Sequence, residues 1–130
     1  MGEETFRGLA QIGQINVRVH DLPRATAFYR DALGLRFLFD VPRMAFFDCA
    51  GVRLLLALPE GAGEDHPSSI LYFKVDDIRH ATAALEARSV EFTSPPHLIA
   101  KMPDHDLWMS FFHDSEGNTL ALMSEIREQE

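Results

Sequence analysis

Apolar and polar residues alternate strictly in the stretch before the first turn of the chain. From residue 14 to residue 19 the odd-numbered positions are aliphatic and the even-numbered positions are polar. A period of two is typical of a strand that buries one face. After Asp21, a suitable N-cap, apolar residues recur at three- and four-residue spacings as far as Gly34, which predicts a helix with a glycine at its end. Turn-rich segments then separate three predicted strands, at about residues 35–39, 44–48 and 52–58.

This order of elements occurs twice. Asp21 corresponds to Asp77, an offset of 77 − 21 = 56, and Gly51 corresponds to Gly117, an offset of 117 − 51 = 66. The second copy predicts a helix with Asp76 or Asp77 as its N-cap and a turn at Ser94-Pro95-Pro96. Its predicted strands lie at about residues 71–75, 90–93 with a looser continuation, 107–113 and 119–124. The chain therefore predicts an α+β fold of two tandem βαβββ modules that form a half-barrel around a pocket.

The repeat also predicts how the chain is divided. We expect one domain over residues 1–130, with module one at about 12–58, a linker at 59–69 and module two at about 70–126. The linker, PEGAGEDHPSS, is rich in glycine, proline and serine. A helix covers one face of such a sheet, so the other face needs a partner or a ligand. Two of these faces side by side would enclose a pocket.

Charge and composition narrow the classes of function. The formal net charge of −8 repels phosphate backbones, which argues against nucleic-acid binding. No apolar run approaches the roughly 20 residues of a membrane span, and the N-terminal segment lacks the apolar core of a signal peptide, so we expect no membrane partner. Cys49 is the single cysteine, which excludes a disulfide framework within the chain and fits a cytoplasmic location.

Two segments, read together with the repeat, resemble a known family. They are VRVHDLPRATAFYRDALGL at residues 17–35 and FFHDSEGNTLAL at residues 111–122. In both, the chain resembles the vicinal oxygen chelate superfamily, which includes glyoxalase I, extradiol dioxygenases, fosfomycin resistance proteins and bleomycin-binding proteins. The resemblance implies the fold expected above. It also implies a homodimer, because small members usually form their grooves at or near a subunit contact.

The resemblance further implies four strand positions that hold a divalent metal ion in metal-using relatives. By strand register these positions are Gln14, Leu55, Ile70 and Ala121. Three of the four are aliphatic and have no lone pair to offer a cation. We therefore expect no metal ion at these positions and no cofactor, which separates this chain from relatives that polarise oxygen atoms with a metal.

The same register predicts which side chains line the inner face of the two sheets. These candidate ligand-binding residues are Gln14, Asn16, Arg53, Leu55, Ile70, Tyr72, Phe111, Ala121 and Met123. Most are apolar or aromatic, and a few amide, phenol and guanidinium groups are placed among them. Such a lining suits an apolar or aromatic small molecule. The alternative interpretation is that these side chains fill a closed core and bind nothing.

Two histidines are candidate acid–base catalysts. His97 and His105 lie in residues 95–108, a segment that resembles a pocket-rim loop of relatives, and an imidazole titrates near neutral pH. The leading hypothesis is a metal-free binding protein similar to the bleomycin resistance type. The alternative is an enzyme, a glyoxalase-like lyase, isomerase or oxidoreductase that uses His97, His105 or unexpected metal ligands. Polar loop residues bonded to their own backbone would explain the same segment without any chemistry.

Overall fold

The computed structural model describes residues 6–127, and the first half of this range forms one four-stranded sheet. The strand order is β1-β4-β3-β2, with β1 parallel to β4 and the other pairs antiparallel. The elements are β1 Gln14–Arg18, α1 Leu22–Ala27, β2 Arg36–Val41, β3 Met44–Cys49 and β4 Val52–Ala57. This is a βαβββ unit, as the alternation and the helical spacing predict.

The second half repeats the unit with the strand order β5-β8-β7-β6, and β5 is parallel to β8. Its elements are β5 Leu71–Lys74, α2 Ile78–Ala87, β6 Phe92–Lys101, β7 Asp106–His113 and β8 Thr119–Ile126. The α+β class with two tandem βαβββ modules is thus confirmed. A short 3-10 turn, Ala62–Glu64, lies in the connection. The exact limits of domain, modules and linker stay a prediction.

The helix ends follow the predicted capping chemistry. Asp21 accepts a hydrogen bond from the Arg24 backbone N–H at 3.0 Å, and Asp77 accepts one from the His80 N–H at 3.1 Å. Gly34 has a φ of 76°, which only glycine adopts readily, and it ends the first helix. The prediction of one continuous α-helix is wrong in its last part. Residues Phe28–Ala32 form a π-helical turn instead, a local widening that often occurs at functional sites.

The prediction of a turn at Ser94-Pro95-Pro96 is also wrong, and so is the first part, residues 95–101, of the rim loop predicted at residues 95–108. The chain continues there as β6, a ten-residue strand at the edge of the second sheet. The register against β7 shifts three times, including once between Ser94 and His97. Proline has no N–H to donate, and an edge strand with bulges tolerates this loss because one of its sides needs no partner.

The helix-covered faces of the two sheets share one hydrophobic core. It contains Tyr29 and Phe47 from the first half and Phe112 and Leu120 from the second, each no more than 1% exposed. The opposite faces of the sheets carry no helix. None of the helices within residues 6–127 is long and apolar enough to cross a bilayer.

Candidate functional site

The helix-free face of the first sheet brings together the residues predicted for module one. Gln14 pairs with Arg53 and Asn16 pairs with Leu55 across β1 and β4, and Phe46 pairs with Leu55 across β3 and β4. Paired residues point to the same side of a sheet. We call this surface the first open face; its central residues are Gln14, Asn16, Met44, Phe46, Arg53, Leu55 and Ala57.

The second sheet has an equivalent surface. Tyr72 pairs with Ala121 across β5 and β8, and Phe111 pairs with Ala121 across β7 and β8. Ile70 precedes β5 and falls on the side of Tyr72 by the same alternation. We call this surface the second open face; its central residues are Ile70, Tyr72, His97, Met109, Phe111, Ala121 and Met123. The predicted sharing of a face is confirmed, whereas the binding role of these residues stays a prediction.

Each open face has a buried apolar centre and exposed apolar edges. Leu55 is 7% exposed and Ala121 is fully buried, while Ile70 and Tyr72 are 42% and 46% exposed. Exposing large apolar side chains to water is unfavourable in free energy, in proportion to the apolar area. A cluster of such side chains on a surface marks a contact or ligand site. The arrangement offers an apolar floor with aromatic walls.

Aromatic groups give the two faces their shape. Phe46 stacks on Phe39 with ring centres 4.6 Å apart, and the Arg53 guanidinium lies 5.9 Å from the Phe46 ring. On the second face Tyr72 meets Phe111 edge-on with ring centres 6.2 Å apart. An arginine beside an aromatic ring suits a ligand that is both flat and anionic.

The two candidate catalytic histidines do not come together. His97 lies on β6, and its ring centre is 6.5 Å from that of Phe111 on the second open face. Its Nδ1–H donates to the Pro95 carbonyl at 2.7 Å, which leaves Nε2 as the ring nitrogen outside this bond. His105 lies in the turn between β6 and β7, about four residues and some 13 Å of strand from Met109, the partner of His97.

His105 belongs to a polar group at the end of the second sheet. Its Nδ1 lies 2.7 Å from Asp104 Oδ1, and this contact lowers the pKa of the Asp104 carboxyl. Arg127 is also 3.6 Å from Asp104, and Lys101 is 3.5 Å from Asp106. The charged groups at this end of the sheet pair with one another. His105 therefore lies in a separate polar group and is not placed to pass a proton to His97.

A divalent metal ion does not fit the positions that would hold it in metal-using relatives. Gln14 offers one amide oxygen, and Leu55, Ile70 and Ala121 offer hydrocarbon. No group of three or more histidine, cysteine, aspartate or glutamate side chains converges within residues 6–127. Three hydrocarbon side chains and one amide do not supply the oxygen, nitrogen or sulfur ligands that a divalent ion needs.

A buried polar cluster between the two halves was not predicted. The Tyr29 hydroxyl donates to Asp114 Oδ2 at 2.6 Å, and the Asn118 amide donates to Asp114 Oδ2 at 2.9 Å and to the Arg18 carbonyl at 2.8 Å. Glu116 accepts bonds from the backbone N–H groups before α1. We call Tyr29, Asp114, Glu116 and Asn118 the junction cluster. Burial, and then the Asp114 carboxylate, raise the pKa of Tyr29, so this phenol stays protonated.

The Glu116 side chain is fully buried against Arg24 of α1. Arg24 Nε donates to Glu116 Oε2 at 2.8 Å. Burial alone would raise the pKa of Glu116. The hydrogen bonds from Arg24, from the backbone N–H groups of His20 and Asp21 and from Ser115 outweigh it and lower the pKa to about 2. The cluster is a joint between the halves and lies apart from the open faces.

Comparison with known proteins agrees with this architecture. The family model described as the Glyoxalase/Bleomycin resistance protein/Dioxygenase superfamily matches residues 11–122. The chain therefore belongs to this superfamily, which confirms the resemblance inferred from the sequence. A search of the curated proteins finds no match.

Solved structures show the same fold at low sequence identity. Lactoylglutathione lyase from Agrobacterium tumefaciens matches with a TM-score of 0.72 and 23% identity over 91% of this chain and 96% of its own. TnmS3, an antibiotic binding protein from Streptomyces sp. CB03234, matches with 0.74 and 23% over 92% and 99%. A superfamily member from Sphaerobacter thermophilus DSM 20745 matches with 0.76 and 24% over 90% and 98%.

Proposed function

We propose that this protein binds an apolar or aromatic small molecule on its open faces without a metal ion. The observation that carries the proposal is the set of side chains at the four central positions, of which three are aliphatic and lie among aromatic rings. Such a surface captures a flat apolar body by burial, and Gln14, Asn16 and Arg53 can orient its polar end. TnmS3, which shares the fold, is an antibiotic binding protein, and this makes stoichiometric capture a reasonable model.

We further propose that the complete groove forms between two copies of the chain in a homodimer. The helix-covered faces of both sheets already meet in one core. The aromatic contacts of the open faces described above stay within their own sheets. Large exposed side chains remain on both, with Phe39 and Tyr72 each 46% exposed. The first open face of one copy opposite the second open face of another would cover them.

The binding proposal is tested with 8-anilinonaphthalene-1-sulfonate, an aromatic anion whose fluorescence rises in apolar surroundings. We expect saturable binding that Phe46→Ala and Tyr72→Ala each weaken about tenfold, since each removes an aromatic wall. Phe6→Ala is the matched control, because Phe6 is 76% exposed and lies outside both faces. The proposal would be contradicted if all three variants weakened dye binding equally, or if none of them weakened it.

The homodimer is tested by building a metal site from two chains. One variant carries Leu55→Glu beside the natural Gln14, and the other carries Ile70→His with Ala121→Glu. We expect the mixture to bind Zn²⁺ in calorimetry and neither variant to do so alone, since glutamate, histidine and the amide are suitable ligands. Zn²⁺ binding by a monomeric chain with all three changes would instead place the groove within one chain.

An acid–base enzyme is the second candidate, and the position of His97 favours it. The ring lies on the second open face, and because Nδ1 is bonded to the Pro95 carbonyl, Nε2 is the ring nitrogen that remains for a substrate. Because lactoylglutathione lyase shares the fold, formation of lactoylglutathione is the readout. The binding proposal predicts no turnover with or without added metal. Turnover that His97→Gln abolishes and His105→Gln leaves intact would establish the enzyme.

A further inference from the structure

An apolar cavity of about 220 Å³ lies on the helix side of the second sheet, where the two halves meet. Leu33 and Leu35 line it from the end of the first helical segment and the chain that follows. Leu85 of α2 and Arg88, the residue after α2, line it from the other side. Phe112, which is fully buried, lies beneath. Both halves of the repeat therefore contribute to one space that the open faces do not reach.

Strand alternation separates this cavity from the proposed groove. Phe73 and Phe112 line the cavity. Their sequence neighbours Tyr72 and Phe111 point to the second open face. Successive side chains of a strand point to opposite sides, so the two sites lie back to back across the same strands. A ligand in this cavity would therefore not depend on the proposed groove.

Small side chains and an irregular helix end leave the space unfilled. Of the α2 residues that face it, Ala81 and Ala84 are small and do not extend far from the helix. The π-helical turn at Phe28–Ala32 and the positive φ of Gly34 direct the chain around the cavity. The half-buried walls keep apolar surface in contact with water, and an apolar occupant would remove that cost.

Arg88 gives the mouth of the cavity a positive charge. Its Nη1 donates to the Ala32 carbonyl at 3.0 Å, a bond that uses one of five guanidinium N–H donors. No lining residue is acidic, and the ion pairs within residues 6–127 are made by other cations. In a chain of net charge −8, this mouth is complementary to an anion.

We propose that this cavity binds an apolar monocarboxylate, with the hydrocarbon between the helices and the carboxylate on Arg88. An apolar cavity of about 150 Å³ holds benzene, so about 220 Å³ suits a body of roughly eight to ten non-hydrogen atoms. A medium-chain fatty acid has this size and shape. Its headgroup accepts the paired N–H bonds that a guanidinium offers.

The test uses octanoate and, as its uncharged match, 1-octanol. Titration followed by nuclear magnetic resonance of the native protein should give saturable shifts centred on Ala84, Leu85 and Leu33. Octanoate should bind about tenfold more tightly than octanol, since a hydrogen bond to a charged group contributes an effect of this order. Absence of saturable shifts, or shifts centred on Tyr72 and Phe111, would show the proposal to be wrong.

Variants separate the charge from the cavity. Arg88→Gln should weaken octanoate about tenfold and leave octanol unchanged. Arg7→Gln makes the same charge change in the exposed N-terminal segment and should change neither. Ala84→Met fills the space and should abolish both. Octanoate binding to the folded Ala84→Met variant would overturn the proposal. A native protein that binds no octanoate, and a dimer that Ala84→Met dissociates, would overturn it as well, because the cavity would then be a contact between chains.

Discussion

The turn between β3 and β4 and the turn between β7 and β8 are equivalent parts of the repeat, yet they differ in what they bind. Asp48 corresponds to Asp114 (114 − 48 = 66) and Ala50 to Glu116 (116 − 50 = 66). In the first turn, Asp48 accepts a single bond, from the Gly51 N–H at 3.2 Å. In the second, the junction cluster reaches into the other half. The two turns share a backbone frame, and a few different side chains let the second one hold the two halves together.

The two helices also differ, because only the first one makes a side-chain hydrogen bond of this kind to the turn of the other half. Tyr29 of the first helix corresponds to Leu85 of the second (85 − 29 = 56). Tyr29 is bonded to Asp114 and fully buried, whereas Leu85 lines the apolar cavity. The reciprocal pair, Leu85 with Asp48, has no hydrogen bond to make. The halves are therefore alike in backbone and unlike in how each holds the other.

The largest effect is expected from Asp114→Ala. The change leaves the Tyr29 hydroxyl, the Asn118 amide and the backbone N–H groups of Glu116 and Asn118 without their acceptor, and most of these groups are buried. We expect the free energy of unfolding to fall by about 3–5 kcal/mol in urea denaturation. Asp48→Ala is the control at the equivalent position and should cost about 1 kcal/mol. Similar losses of unfolding free energy in the two variants would show that the two turns do not differ in this way.

A smaller effect is expected from Glu116→Gln, and it depends on pH. The pKa of Glu116 is about 2 in the folded chain against an ordinary 4.5, so its carboxylate stabilises fully above about pH 4.5. That stabilisation is lost as the pH falls from 4.5 towards 2. We expect the variant to be less stable by about 1–2 kcal/mol at pH 7 and to approach the native protein at low pH.

Glu86→Gln provides the control for this pH dependence. Glu86 is exposed on α2, and the change alters the net charge equally. Its stability should stay within about 0.5 kcal/mol of the native protein at every pH. Denaturation curves at several pH values measure both variants. A constant gap between Glu116→Gln and the native protein across the acid range would contradict the assigned pKa.

Gln14→Ala and Ile70→Ala compare equivalent positions at the start of the two halves (70 − 14 = 56). Both side chains are exposed, so each change should alter the free energy of unfolding by less than about 0.5 kcal/mol. Both should nevertheless weaken binding of 8-anilinonaphthalene-1-sulfonate a few-fold, because they lie on the proposed groove. Loss of thermal stability in Gln14→Ala would instead make this residue structural.

The smallest effect concerns Cys49, which corresponds to Ser115 (115 − 49 = 66). Burial, and then the neighbouring Asp48 carboxylate, raise the pKa of the thiol. Less thiolate is present near neutral pH, so iodoacetamide should alkylate Cys49 more slowly than free cysteine. Cys49→Ser, which copies the second turn, should change the free energy of unfolding by less than about 0.5 kcal/mol. Faster alkylation than free cysteine would indicate an activated thiol.

The alternation and the capping residues were enough to predict most of the fold. Residues 14–19 and Asp21 define a strand and a helix start through contacts a few residues apart, and these are local effects. The register also predicted which residues share the open faces. The edge strand through Pro95 and Pro96 was missed because two prolines normally end a strand, and only its place at the sheet edge makes them tolerable.

The junction cluster was missed for a different reason. Tyr29 and Asp114 are 85 residues apart, and Asn118 and the Arg18 carbonyl are 100 apart. Each of these residues alone is typical of a core or a turn. Aligning the two turns of the repeat would have shown the signal, since Glu116 and Asn118 replace alanine and valine there. Such a contrast between copies points to a role that the shared fold does not require.

The bonds from Glu116 to the backbone N–H groups before α1 have a consequence for synthesis of the protein on the ribosome. The start of the first helix is complete only when residues 114–118 have left the exit tunnel, because these residues come from the last hairpin. A nascent chain that ends before this hairpin already contains the four strands and the helix of its first half. It lacks Glu116, which bonds to the start of that helix. The two halves, although they look like independent copies, should therefore fold in a single cooperative step that waits for residues 114–118.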